Sequence, residues 1–119
     1  MQLTRTVSWV RAALKEFKKF PIGARSVCLG ALTIAAEGGK ADIAKPMKGF
    51  ASGVFEIALP YKGDAYRTVY VVNIGDELWV VPVFQKKSTS GIKTPKREIE
   101  LIHRRIKQLK ESENENKTG

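Results

Sequence analysis

Phe84-Gln85-Lys86-Lys87-Ser88, followed two residues later by Gly91-Ile92-Lys93-Thr94-Pro95-Lys96-Arg97-Glu98, is the stretch whose reading decides the fold. It starts as an apolar strand ending in two lysines, crosses a short polar loop, and opens a helix. Thr94 suits a helix N-cap and Pro95 the first helical position, where the missing N–H costs nothing. Beyond them Ile99, Ile102, Ile106 and Leu109 recur at spacings of three and four, which predicts an amphipathic helix. The segment is therefore a strand-to-helix junction with cations gathered on it.

Working back toward the N-terminus, three runs read as a β-meander. They are Val54–Leu59, Ala65–Ile74 and Glu77–Gln85, separated by turn signals at Lys62-Gly63 and Gly75-Asp76. Residues 40–52 show no periodicity and contain Pro46 and Gly49, so they read as a loop. Upstream, Pro21 opens a helix through Val27, Leu29, Leu32, Ile34 and Ala35, stopped at Gly38-Gly39. Before it, Ala13, Leu14, Phe17 and Phe20 give a first amphipathic helix, and Thr6–Val10 a short edge strand. The order β-α-α-β-β-β-α predicts an α+β fold, a small antiparallel sheet packed against helices. One domain is expected over residues 1–110, with 111–119 a polar, disordered tail.

Composition narrows the class of protein. An apolar content of 43% against 28% charged residues suits a folded domain. No apolar run approaches the roughly 18 residues needed to cross a bilayer, and the first twenty residues lack a signal-peptide pattern. A single cysteine, Cys28, excludes an internal disulfide and fits a reducing cytoplasm; in its apolar helical run it reads as a small buried hydrophobe. The net charge is +9, and the segment from Phe84 to Lys110 alone carries +7, with nine Lys or Arg against Glu98 and Glu100. That density points to a polyanionic partner, nucleic acid foremost.

Strand parity then brings particular side chains together. Two-residue turns at Lys62-Gly63 and Gly75-Asp76 pair Ala58 with Arg67, Arg67 with Phe84, and Lys86 with Ala65. Glu56, Arg67 and Lys86 then share one face; a turn longer by one residue would substitute Gln85 and Lys87 for Lys86. The opposite class, Phe55, Ile57, Leu59, Tyr66, Thr68, Tyr70, Val72, Trp79, Val81 and Val83, is bulky and apolar and is predicted to face the helices.

Arginine and lysine beside a carboxylate match what phosphodiester cleavage needs: positive charge over the nonbridging oxygens, a base and an acid. RNA supplies its own nucleophile in the 2′-OH, so no catalytic Ser or Cys is required. Arg67 would clamp the phosphate, Lys86 or Lys87 would transfer protons, and Glu56 would serve as base or orient Arg67. The competing reading is a purely structural Arg–Glu pair. His103 is alone, and Asp42, Glu56, Asp64 and Asp76 lack metal-ligand spacing, so neither a metal nor a cofactor is implied.

Five motifs carry a resemblance. Lys45-Pro46-Met47-Lys48-Gly49, Gly53-Val54-Phe55-Glu56-Ile57, Tyr66-Arg67-Thr68-Val69-Tyr70, Phe84-Gln85-Lys86-Lys87-Ser88 and Thr94-Pro95-Lys96-Arg97-Glu98-Ile99 resemble the phage-derived branch of the RelE/HigB toxin superfamily, over Val7 to Leu109. The resemblance implies a RelE-like fold and a type II toxin–antitoxin toxin, an endoribonuclease cutting mRNA on the ribosome without metal. Arg67 matches the arginine of the Tyr-Arg strand motif, and Lys86 and Lys87 the basic end of the last strand. Lys48, Gln85, Lys93, Lys96 and Arg97 are the RNA-binding candidates. The implied partners are a HigA-like helix-turn-helix antitoxin, the ribosome and mRNA, in the cytoplasm with no membrane. Relatives place two lysines on the strand where this chain has Phe55, Glu56, Ile57 and Ala58, and Lys48 could substitute. The alternatives are a gyrase-inhibiting, ParE-like toxin and a non-catalytic nucleic-acid-binding remnant of phage origin.

Overall fold

The computed structural model describes residues 4–86 and 94–118, with side chains to residue 114. Along the chain run β1 (Thr6–Trp9), α1 (Arg11–Phe17), α2 (Ile22–Ala36), β2 (Ala44–Pro46), β3 (Val54–Tyr61), β4 (Asp64–Ile74), β5 (Glu77–Lys86) and α3 (Lys96–Thr118). The strands form one sheet in the order β1-β5-β4-β3-β2. Strands β2 to β5 pair antiparallel, whereas β1 joins β5 in parallel, Thr6 opposite Glu77 and Trp9 opposite Val80. The sheet is thus mixed at one edge. A parallel neighbour needs a long crossover, and α1 and α2 lie in the connection that supplies it.

Besides this parallel edge, the extents of two segments depart from the sequence reading. Residues 40–52 are not all loop: Ala44, Lys45 and Pro46 pair with Ile57, Glu56 and Phe55 as an edge strand. Three residues are too few to show a period, and proline is tolerated at a sheet edge, where its missing N–H breaks no ladder. At the other end α3 continues through Glu111 to Thr118, across the region where the sequence predicts a polar tail.

The turns behave as two-residue hairpin loops. Tyr61 pairs with Asp64 across Lys62-Gly63, both of which have positive φ (51° and 88°), as a twist-matched hairpin turn requires. Ile74 pairs with Glu77 across Gly75-Asp76. Between β3 and β4 the register is uniform. Between β4 and β5 it slips in mid-strand: Thr68 faces Val83, but Tyr70 faces Val80 and Val71 faces Trp79, before Ile74–Glu77 restores it. Pro82 sits in the first irregularity, where its lack of an N–H favours a bulge, and a compensating residue is inserted near Asn73 on β4.

The bulge corrects the predicted faces. Leu78 and Val80 join Ile57, Tyr66, Tyr70 and Val83 under α1 and α2. Trp79 and Val81, expected on that face, instead turn to the other one with Val54, Val69, Val71 and Ile74, where α3 covers them. The helix side is organised by an aromatic chain, Trp9–Phe17–Phe20–Tyr66, with successive ring centroids 4.8, 5.6 and 4.6 Å apart. Helix α2 packs through Ala24, Cys28, Ala31, Leu32, Ala35 and Ala36, mostly small side chains that allow close approach. Its larger residues Val27, Leu29 and Ile34 stay exposed. Cys28 is fully buried as the sequence predicts, and burial pushes its thiol pKa up.

On the second face α3 inserts Ile102, fully buried, with Ile106 and Leu109 beside it. Burying one such side chain contributes roughly 1.5–3 kcal/mol. The helix covers the end of the face built from Val69, Val71 and Ile74. The other end, where Glu56, Ala58 and Arg67 emerge, borders a groove.

Candidate functional site

Register alone determines which polar groups meet at that end. Glu56 faces Val69, Ala58 faces Arg67, Arg67 faces Phe84, and Ala65 faces Lys86. Lys86 is therefore the diagonal neighbour of Arg67 on the adjacent strand, a separation of about 7–8 Å between backbones. The regular register at the open end of the hairpin puts Glu56, Arg67 and Lys86 on one face, as parity predicts, because the two bulges lie nearer the Gly75 turn. Arg67 and Lys86 are each only 7% exposed.

Arg67 Nη1 donates to Glu56 Oε1 at 2.8 Å, and both side chains are largely withdrawn from water, at 9% and 14% exposure. Glu56 Oε2 accepts a hydrogen bond from Thr94 Oγ at 2.7 Å. Each carboxylate oxygen thus has a protein donor, and the guanidinium is held in one orientation. Thr94 is a residue the sequence reading placed elsewhere. Its place before the helix predicts a cap for α3, yet its hydroxyl goes to Glu56 and the ladder starts at the carbonyl of Pro95, which accepts from the Ile99 N–H. Its Ser/Thr character before a helix gives the same sequence signal for a cap and for this tie.

Beside the pair lies a groove of about 610 Å³ walled by Arg67, Glu56, Ala58, Lys45 and Asp42, with Leu59 and Pro60 supplying apolar surface. Its far wall comes from β2 and the residues before it. Lys45, which opens the Lys-Pro-Met-Lys-Gly motif, faces Glu56 across the edge pairing, a contact that a loop over residues 40–52 does not predict.

The remaining candidates are distributed unequally. Lys48 is exposed in the β2–β3 connection, and Lys96 and Arg97 are exposed at the start of α3, close in sequence to Thr94. Gln85 points away: it faces Tyr66, on the helix side, and its Nε2 donates to Asp64 Oδ2 at 2.7 Å. Lys87 and Lys93 lie outside the described residues. His103, exposed on α3, stacks on Phe50 with centroids 4.1 Å apart. Further along α3, Arg105 donates to the carbonyl of Val81, next to the Pro82 bulge. Burial lowers its pKa from the ordinary value, Glu98 opposes that shift, and Arg104 adds to it. No helix among the described residues is long and apolar enough to cross a membrane.

Comparison with known proteins places the chain and its fold. The family described as phage derived protein Gp49-like matches residues 15–107, most of the chain. The chain belongs to that phage-derived Gp49-like family. Among solved structures, the Gp49-like chain is similar to the isolated RelE toxin of E. coli, with a TM-score of 0.55 and 23% identity, covering 84% of this chain and 97% of that one. It is also similar to a double-arginine mutant of E. coli RelE in the free state, with a TM-score of 0.57 and 21% identity, over 74% of this chain and 87% of that one. Identities this low establish the fold, which is that of RelE. A search of curated proteins returns no match. The resemblance drawn from the sequence thus holds for the phage-derived family and for the RelE fold.

Proposed function

We propose that this Gp49-like chain is the toxin of a type II toxin–antitoxin pair, a ribosome-dependent endoribonuclease that cuts mRNA through the RNA's own 2′-OH. The observation that supports it most is the convergence of Arg67 and Lys86 on one face, beside a groove, with Glu56 anchored at both oxygens. In this reading the 2′ oxygen attacks the adjacent phosphorus and the bond to the 5′ oxygen breaks. The products are a 2′,3′-cyclic phosphate and a 5′-hydroxyl, and no metal takes part. Arg67 stabilises the charge that develops on the nonbridging oxygens. Lys86, with Lys87, handles proton transfer. Glu56, already engaged by Arg67 and Thr94, acts as a positioning residue for the guanidinium rather than as the base. Lys48, Lys93, Lys96 and Arg97 contact the RNA backbone. A HigA-like helix-turn-helix antitoxin neutralises the protein, which works on ribosomes and mRNA in the cytoplasm.

End-group analysis tests the chemistry. Transcripts from a translating extract treated with the purified protein should carry new 5′-hydroxyl ends that a kinase labels without prior dephosphorylation. New 5′-phosphate ends would mean attack by water and would overturn the 2′-OH mechanism.

A second reading rests on the substitution of Phe55, Glu56, Ile57 and Ala58 for the lysine-bearing strand of relatives. Without those lysines the same basic face would inhibit gyrase by binding. Growth arrest with DNA damage and intact transcripts would select it.

A further inference from the structure

The nuclease reading leaves a second surface unused, on the helix side of the sheet, opposite Arg67. Between α1 and α2 runs an open groove of about 540 Å³ whose walls are Trp9, Leu14, Phe17, Ile22 and Leu29. Ile22 and Leu29 are seven residues apart, two helical turns, and so lie on one stripe of α2. They are 74% and 46% exposed, among the most exposed large apolar side chains described. Val27 and Ile34 are also exposed, but on a separate stripe farther round α2, with Ser26 and Thr33 between. The groove follows α2 from Ile22 to Leu29, about 10 Å, enough for two turns of a docked helix.

Its charge is one-sided. The charged residues lining the groove are Lys18, just past the end of α1, and Arg25, on the Ile22–Leu29 stripe. A carboxylate is the acceptor that best satisfies a guanidinium. Apolar walls with two cations and no acidic residue in the lining fit an amphipathic helix carrying acidic residues beside its apolar stripe. Nucleic acid has no apolar stripe to fill the walls. A second copy of this chain would bring further positive charge from a +9 protein.

We propose that the α1–α2 groove is a protein-docking surface that takes an acidic amphipathic helix from a partner, with a carboxylate set on Arg25. The proposal does not rest on the nuclease reading and is tested without any activity assay.

The probes are two synthetic 16-residue helical peptides with the same leucine stripe, one flanked by glutamates and the other by lysines. Each is titrated into the isotopically labelled full chain and followed by amide chemical shifts. The glutamate peptide should perturb α1 and α2 around Leu14, Arg25 and Leu29, and the lysine peptide should not. Arg25→Gln should weaken binding about tenfold, the loss of one charge-assisted hydrogen bond. Leu29→Glu should abolish binding, while Lys107→Gln, on α3, should leave it unchanged, so general attraction to a basic protein is separated out. Circular dichroism confirms that each variant is folded. Four results would overturn the proposal: no binding of the glutamate peptide, equal binding of both peptides, displacement of the peptide by a short RNA, or a chain dimer that Leu29→Glu dissociates.

Discussion

Glu56→Ala, Arg67→Met and the two together form a cycle that measures how firmly the guanidinium is held. In the native pair both side chains are at most 14% exposed, so solvent screening is weak and the desolvation already incurred is large. Removing one partner of a buried pair costs about 3–5 kcal/mol, because the other charge stays buried without compensation. Arg67 has further interactions, which places Glu56→Ala near the lower figure, about 3 kcal/mol. For a domain of this size that is a fall in Tm of about 12 °C. Arg67→Met leaves Glu56 with the Thr94 hydroxyl at 2.7 Å, so its cost is expected to be about 2–3 kcal/mol. The double variant has no stranded charge, so its loss should fall short of the sum of the two single losses by at least about 2 kcal/mol. Urea denaturation of all four proteins, with circular dichroism and tryptophan fluorescence, gives these numbers. Additive losses, or a Glu56→Ala cost under about 1 kcal/mol, would refute the reasoning: the pair would be solvated and Glu56 would not fix Arg67.

Two further outcomes follow from the core. Burial raises the Tyr70 pKa to about 12, and its hydroxyl has no hydrogen-bond partner among the described residues. The unfolded chain ionises near pH 10 while the folded chain stays protonated. Above that pH the unfolded state therefore binds fewer protons, and stability falls as pH rises from about 10 to 12, by roughly 2–3 kcal/mol from this group. Tyr70→Phe should remove that alkaline component in denaturation curves taken across the range, at little cost near neutrality. An unchanged alkaline slope would contradict it. Ile102→Ala should destabilise by about 2–5 kcal/mol through the cavity it leaves beneath α3, measured by urea denaturation; a loss below about 1 kcal/mol would mean that α3 is not packed on Val69 and Val81.

Local signals carried most of the fold into the sequence. Lys62-Gly63 and Gly75-Asp76 are turn chemistry that forces two-residue loops, and those loops dictate the pairings at the open end of the hairpin. That is why Glu56, Arg67 and Lys86 could be brought to one face from spacing alone. What parity could not anticipate was the bulge at Pro82. One extra residue on β5 exchanges the faces of Trp79 and Val81, so α3 meets an apolar surface that the alternation assigned to the other helices. β2 was hidden because three residues show no period. The parallel pairing of β1 was hidden because it depends on where the α1–α2 crossover returns the chain. Thr94 was visible as a residue but not as a contact, since a hydroxyl before a helix has two uses and only the position of Glu56 across the sheet selects between them. The apolar residues of α2 misled in a related way: its alanines, Cys28 and Leu32 make the buried face, while Ile22, Val27, Leu29 and Ile34 look outward.

The most direct measurement of the central claim is induced expression of the wild type and of Arg67→Lys, with primer extension on abundant transcripts soon after induction. The lysine variant keeps a charge in the buried position but loses the fork that would grip a phosphate. Its stability is checked on the purified protein. The account predicts growth arrest and translation-dependent transcript cuts for the wild type, with both lost in a folded Arg67→Lys protein. Growth arrest with uncut transcripts, or cutting that persists undiminished in the variant, would contradict it.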